Sequence, residues 1–227
     1  MENSNSFNVV YDFCKKTSST GSLEWLNPPA SCTLKGKQGL SVVPKPGSNF
    51  WCKTYRDPPT LELSGHALLY DIPLRLKTCV AEAEFRLNNV HLFDQAGIMV
   101  YVDDRHWIKS VLEMESVDEA DIICGVTNKH SDGNHTKWPT REARMRITIT
   151  RYREALDCKV EYHHHTAAGG GSGEWEWLRK GFIDLPEGGE EAVVKVGLCC
   201  AAPSQKETDT DGLEVFFKKF SIRGEMN

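Results

Sequence analysis

Between residues 94 and 116 the chain reads DQAGIMVYVDDRHWIKSVLEMES, with Trp107, Lys109 and Glu113 at i, i+2 and i+6. Along a β-strand, side chains an even number of residues apart share a face, so these three point the same way. An indole plate beside an ammonium and a carboxylate suits a sugar. The C–H face of the ring stacks on the aromatic, and its hydroxyls take the hydrogen bonds. Glu113 and Glu115 also share that face, about 6.6 Å apart at roughly 3.3 Å per residue. Inverting glycoside hydrolases hold their two carboxyl groups about 6.5–9.5 Å apart. Two chemistries therefore arise here: sugar binding, or acid–base hydrolysis by Glu113 and Glu115. The plain alternative is a solvated sheet face carrying a Lys–Glu pair, or a buried version of that pair.

Positioning these groups requires two strands around a tight turn. A register is chosen by how well it separates apolar from polar residues. A two-residue turn at Asp104 and Arg105, with Val102 opposite Trp107, mixes the faces. A three-residue loop of Asp104, Arg105 and His106 pairs Val102 with Ile108, Val100 with Ser110, Ile98 with Leu112 and Ala96 with Met114. That face is almost wholly apolar and is expected in the core. The other face then carries Tyr101 opposite Lys109, Gly97 opposite Glu113 and Gln95 opposite Glu115. Gly97 there leaves space for a ligand or for another backbone.

The rest of the chain supplies further short runs with apolar alternation, among them GLSVVP, NFWCKTY, CVAEAEFRL, ARMRITITRY, DCKVEYHH and LEVFFKKFSI. Gly, Pro, Asn and Asp clusters separate them. No convincing helical stretch of ten residues interrupts the series. About twelve short strands predict an all-β sandwich of two antiparallel sheets, with little or no helix. Residues 1–20 are polar and read as a loose arm or an added edge strand; residues 21–227 read as one β-sandwich domain. The longest polar gap, 128–140, reads as a loop. Trp175 and Trp177 share a face and are expected in the core or as the wall of a groove.

Composition narrows the functions. The net charge is −5, and no basic run exceeds a few residues, which argues against nucleic acid. No apolar segment is long enough for a membrane span, and the N-terminus does not read as a signal peptide. A cytoplasmic location is expected. Cys124, Cys158 and Cys200 fall in phase with aliphatic residues and are expected as buried thiols. No zinc spacing appears. In the His tract 163–165, only His163 and His165 share a face, and the tract reads as a polar strand end. No cofactor and no metal are expected.

The stretch FDQAGIMVYVDDRHWIKSVLEME also resembles the uncharacterised-domain family numbered 1349. The resemblance rests on Phe93, Asp94, Gln95, Ala96, Gly97, Ile98, Met99, Trp107, Ile108, Lys109 and Glu113. LEWLNPP, GSNFWCKTY and GLEVFFKKFSI extend it over residues 23–223. It implies a concanavalin A-like jelly roll and no established reaction. Members of that family are named for the regulation of enolase, which makes a metabolic enzyme a candidate partner. Where the family often has Asp before Phe50, this chain has Asn49, so a carboxylate role there is in doubt. The glucanases of this fold class use Glu-x-Asp-x-Glu or Glu-x-Asp-x-x-Glu, whereas this chain has Glu-x-Glu-x-x-Asp at Glu113, Glu115 and Asp118. The expectation is a non-catalytic, lectin-like binding or regulatory module for a carbohydrate or for enolase. Its ligand surface would be Trp107, Lys109, Glu113, Tyr101, Gln95 and Trp51. A glycoside hydrolase is the alternative.

Overall fold

The structure is a computed structural model and describes residues 6–15, 20–52, 57–73, 76–163, 173–186, 192–209 and 211–226. Among them seventeen strands follow in chain order. They are β1 (Ser6–Asp12), β2 (Glu24–Leu26), β3 (Ser31–Leu34), β4 (Leu40–Val43), β5 (Phe50–Cys52), β6 (Leu61–Leu63), β7 (His66–Ile72), β8 (Leu76–Asn88) and β9 (Gln95–Asp103). The chain continues through β10 (His106–Met114), β11 (Ala120–Asn128), β12 (His130–Trp138), β13 (Glu142–Arg151), β14 (Ala155–His163), β15 (Trp175–Asp184), β16 (Val194–Ala201) and β17 (Glu214–Met226). One 3-10 turn, Gly36–Gln38, is the helical content of the described residues.

Two large antiparallel sheets form the expected jelly-roll sandwich. One runs β15-β14-β13-β8-β17-β4-β3, with β1 also paired to β17; the other runs β12-β11-β10-β9-β16-β7-β2. A separate two-stranded ribbon pairs β5 with β6. Period-two alternation decides which side of each strand is buried. In β13, Ala143, Met145, Ile147 and Ile149 face inward, while Arg144, Arg146 and Thr148 alternate with them. Phe85, Ile147, Val160 and Phe217 from the first sheet meet Ile98, Val100, Ile108, Leu112 and Leu198 from the second in one core. Burying each such side chain favours folding by about 1.5–3 kcal/mol.

Residues 6–12 are an added strand on β17, from Ser6 opposite Glu225 to Asp12 opposite Lys219. All eight cysteines are thiols, and Cys124, Cys158 and Cys200 are buried as expected. No helix of the described residues is long and apolar enough to cross a membrane.

Three expectations are corrected. Residues 128–140 are mostly strand β12, with a tight turn at Lys129 (φ 69°) instead of a long loop. Its polar composition follows from its place at the edge of the sheet. Of the two places expected for Trp175 and Trp177, the structure excludes the core. Trp177 is 63% exposed, and the guanidinium of Arg146 stacks on Trp175 at 4.3 Å.

The third correction concerns the β9–β10 hairpin. Its pairing is Asp103 with His106, then Tyr101 with Trp107, Val100 with Ile108 and Gln95 with Glu113. The turn is the two-residue Asp104 and Arg105, and Val102 is bulged out of the ladder. Asp103 shapes this turn: its Oδ1 accepts from the Arg105 backbone N–H at 2.7 Å and contacts Nδ1 of His106 at 2.8 Å. The expected register is therefore off by two residues. An even shift leaves every side chain on its assigned face, so the division into faces stands. The expectation for His164 and His165 lies outside the described residues.

Candidate functional site

The outer face of the second sheet is built by β9, β10, β11 and β12. Across those strands, Gln95, Glu113, Asp121 and Lys137 form one row and Met99, Lys109, Gly125 and Gly133 another. The β5–β6 ribbon lies over one end of this face. Phe50, Cys52, Ala67, Leu69, Met99, Trp107, Val111 and Cys199 make a second, smaller apolar cluster beneath it. Phe50 packs on Trp107 with ring centroids 5.9 Å apart, and the Cys52 N–H donates to Ser131 Oγ at 2.9 Å, which ties the ribbon to β12.

The ribbon changes the role of Trp107. Its side chain is 0% exposed and offers no free face for stacking. Its part in the site is to seat the ribbon that carries Trp51. Tyr101 also lies apart from the cavity described next, with its hydroxyl donating to Asp104 Oδ1 at 2.7 Å.

Beside the ribbon, an open cavity of about 610 Å³ contains the other predicted residues. Gln95, Lys109, Glu113 and Glu115 line it, and Trp51, Phe93, Ile123 and Pro203 add apolar wall. Asn134 and His135 come from the edge strand β12, and Asn49 from the start of the ribbon. Sequence reasoning missed these β12 residues because the strand was read as a loop. Phe93 was visible in the family motif, but its place on the rim depends on a left-handed backbone (φ 63°) that the motif did not announce.

Lys109 and Glu113 are joined through Gln95. Lys109 Nζ donates to Gln95 Oε1 at 2.5 Å, and Gln95 Nε2 donates to Glu113 Oε2 at 2.8 Å and to the Phe93 carbonyl at 3.1 Å. Both amide ends are thus committed, which fixes the orientation of Gln95. Nζ also lies 6.0 Å from the centroid of the Trp51 ring. Asn49 donates to Glu62 Oε2 at 2.6 Å. An Asp there could not donate, so Asn suits this position.

Burial controls the charges. Lys109 is 4% exposed, and desolvation lowers its pKa from the ordinary 10.5 against the pull of Glu113. Desolvation raises Glu113 to about 6, with Lys109 opposing and Glu115 and Asp121 adding to the rise. Beneath the Phe93 rim, Asp94 is fully buried and also raised to about 6 by desolvation. It accepts from the His91 N–H at 2.7 Å and from Gln205 Nε2 at 2.6 Å, so it pins two loops at the mouth of the cavity. Across the cavity, the buried Asp121 holds His135 Nδ1 and, at 3.2 Å, Lys137 Nζ.

The shift at Glu113 carries a pH signature. The folded state holds this proton more tightly than the unfolded state. The resulting stability is complete below the ordinary value of 4.5 and is lost as pH rises through about 6. Relative to Glu113→Gln, which stays neutral, the wild type should lose about 1–2 kcal/mol between pH 4.5 and pH 7. Urea unfolding of both proteins across that window measures the difference. A constant gap would show that Glu113 is not desolvated.

Residues 25–225 match the protein family of unknown function DUF1349. Over 132 residues the chain is 32% identical to the Saccharomyces cerevisiae protein called Regulation of enolase protein 1. That alignment covers 55% of this chain and 61% of the relative, less than two thirds of the relative's length. A crystal structure of a functionally unknown protein from Saccharomyces cerevisiae superposes with a TM-score of 0.65 at 22% identity, over 92% of this chain and all of that one. The GH43 protein BlXynB from Bacillus licheniformis superposes with a TM-score of 0.59 at 12% identity, over 98% of this chain but 39% of that one. At these identities the two solved structures show a shared fold.

Proposed function

The chain belongs to the DUF1349 family of proteins of unknown function, and from that premise we propose that it is a non-catalytic, lectin-like module whose cavity binds a carbohydrate. One observation carries the reading: a hydrogen-bonded chain of donor and acceptor groups, Lys109–Gln95–Glu113, lies in a cavity also lined by Trp51 and Phe93. Small-molecule sites have this make-up, mostly apolar lining with a few convergent polar groups. The cavity volume leaves room for more than one sugar ring. The thiols favour a reducing compartment, the cytoplasm.

A glycan array followed by calorimetric titration tests the reading. Lys109→Met and Trp51→Ala should each weaken binding of the selected glycan by about tenfold or more, since each removes a direct contact. Failure of every glycan to bind would remove the carbohydrate reading. A pull-down with enolase, prompted by the yeast relative's name, would then decide for a protein partner.

A second reading has its own support. Glu113 and Glu115 line one cavity, and a carboxyl held near pKa 6 is suited to act as a general acid. Turnover of a glycoside that disappears in Glu113→Gln would establish hydrolysis instead of binding alone.

A further inference from the structure

Lys109 differs from an ordinary buried lysine in the partner it has. Among the described residues its Nζ forms no salt bridge, and its hydrogen bond is to a neutral amide oxygen, Gln95 Oε1. A carboxylate partner would hold the lysine in its charged form by direct ion pairing. A neutral amide oxygen lacks that charge and, though it accepts more strongly from an ammonium, can also accept from a neutral amine. Gln95 cannot rotate its nitrogen toward Lys109 without abandoning Glu113 and the Phe93 carbonyl, so its oxygen remains the acceptor.

The amine is also held in place. A Cβ built on Gly125 would meet the Cγ and Cε of Lys109 at 3.5 Å, so the lysine stem lies across the bare backbone of that glycine. Desolvation favours the neutral form, and Glu113 on the other side of Gln95 is a carboxyl able to hold or release a proton near neutrality. A desolvated lysine amine in a cavity is the arrangement from which Schiff bases form.

We infer that Lys109 is a nucleophilic amine that captures an aldehyde, the open-chain form of a reducing sugar or of a short hydroxyaldehyde, as a Schiff base. The inference rests on the carbohydrate reading of the cavity and adds a covalent step to it. The Nζ lone pair forms a bond to the carbonyl carbon, and the C=O π pair moves onto oxygen. That oxygen takes one proton to give a carbinolamine. A second proton lets it leave as water while the nitrogen lone pair forms the C=N bond. The two protons gained by the departing water balance the two lost by the amine nitrogen, and no oxidant or reductant is needed. Glu113 lines the same cavity and is the side chain assigned to carry protons between these atoms.

The test treats the full chain with glycolaldehyde and cyanoborohydride, which reduces an imine to a stable secondary amine, and maps the adduct by peptide mass spectrometry. Lys109 should be modified about tenfold or more faster than any exposed lysine, as expected of an activated amine. The fast adduct should vanish in Lys109→Arg. Should that variant fail to fold, the wild-type map stands alone, because it ranks Lys109 against the other lysines of the same molecule. Labelling of Lys109 no faster than that of exposed lysines overturns the inference. A methyl glycoside, which has no carbonyl, is titrated in parallel. Its binding without fast Lys109 labelling overturns covalent capture and leaves the sugar site standing. Neither binding nor labelling removes both.

Discussion

Trp107→Ala is expected to lose about 3–5 kcal/mol of stability, the usual cost of emptying a buried aromatic site. For a chain of this size that corresponds to a fall in Tm of about 6–20 °C. The side chain is 0% exposed and packs between Phe50 of the ribbon and the outer face of the sheet. Among the described residues its Nε1 has no hydrogen-bond partner. The indole nitrogen therefore adds little, and Trp107→Phe should lose much less than Trp107→Ala. Ligand binding should weaken in the alanine variant through the ribbon, because the ribbon carries Trp51. Thermal melts of both variants, alongside titration, separate the cases. An unchanged melt with lost binding would mean that Trp107 is an exposed stacking plate, contrary to its place in the structure.

Gly97→Ala is expected to be at least as severe, above about 4 kcal/mol, in the range reserved for named local failures such as overpacking. A Cβ at Gly97 would stand 1.9 Å from the Ser110 carbonyl oxygen and 2.8 Å from the Val111 Cα. Both are backbone atoms of the paired strand, so neither can swing aside as a side-chain tip would. Gly125→Ala is the control. It lies two strands away on the same face, and its added methyl would meet the Lys109 stem at 3.5 Å and the Asp132 carbonyl oxygen at 3.9 Å, both ordinary contacts. Its stability should stay within about 1 kcal/mol of wild type, since the alanine also restricts the unfolded chain. Chemical denaturation of the two variants measures the contrast. Equal losses would place the strain of Gly97 elsewhere than at the Ser110 carbonyl.

These two positions also show what could be read from the residues alone. Alternation placed Ile98, Val100, Ile108 and Leu112 in the core and Trp107, Lys109 and Glu113 on the other face. That division survived a two-residue error in register, because faces depend only on parity. The bulge at Val102 was invisible because it depends on how Asp103 ties the turn, which period-two patterning does not sense. The space foreseen at Gly97 is taken by the neighbouring backbone, one of the two occupants expected there. The burial of Trp107 had one available signal. Met99 and Val111 lie on the same outer face, and an apolar group there implies a cover. The cover itself, β5 with β6, comes from residues more than thirty positions earlier, and local pattern carries no information on such a contact. The cavity combines five expected residues, Trp51, Gln95, Lys109, Glu113 and Glu115, with walls from loops and from β12, so its chemistry was legible before its enclosure was.

The pairing of β1 with β17 has a mechanical consequence. Ser6 lies opposite Glu225, and the two strands run antiparallel from that point to Asp12 and Lys219. A force drawing residues 6 and 225 apart acts across the ladder, along its hydrogen bonds, which in antiparallel pairs lie perpendicular to the strands. Those bonds are then loaded one rung at a time, as in opening a zip, instead of being sheared together. The sandwich should yield at low tension by peeling β1 from the edge, while the sheet that bears the cavity, on the far side of the core, remains unloaded.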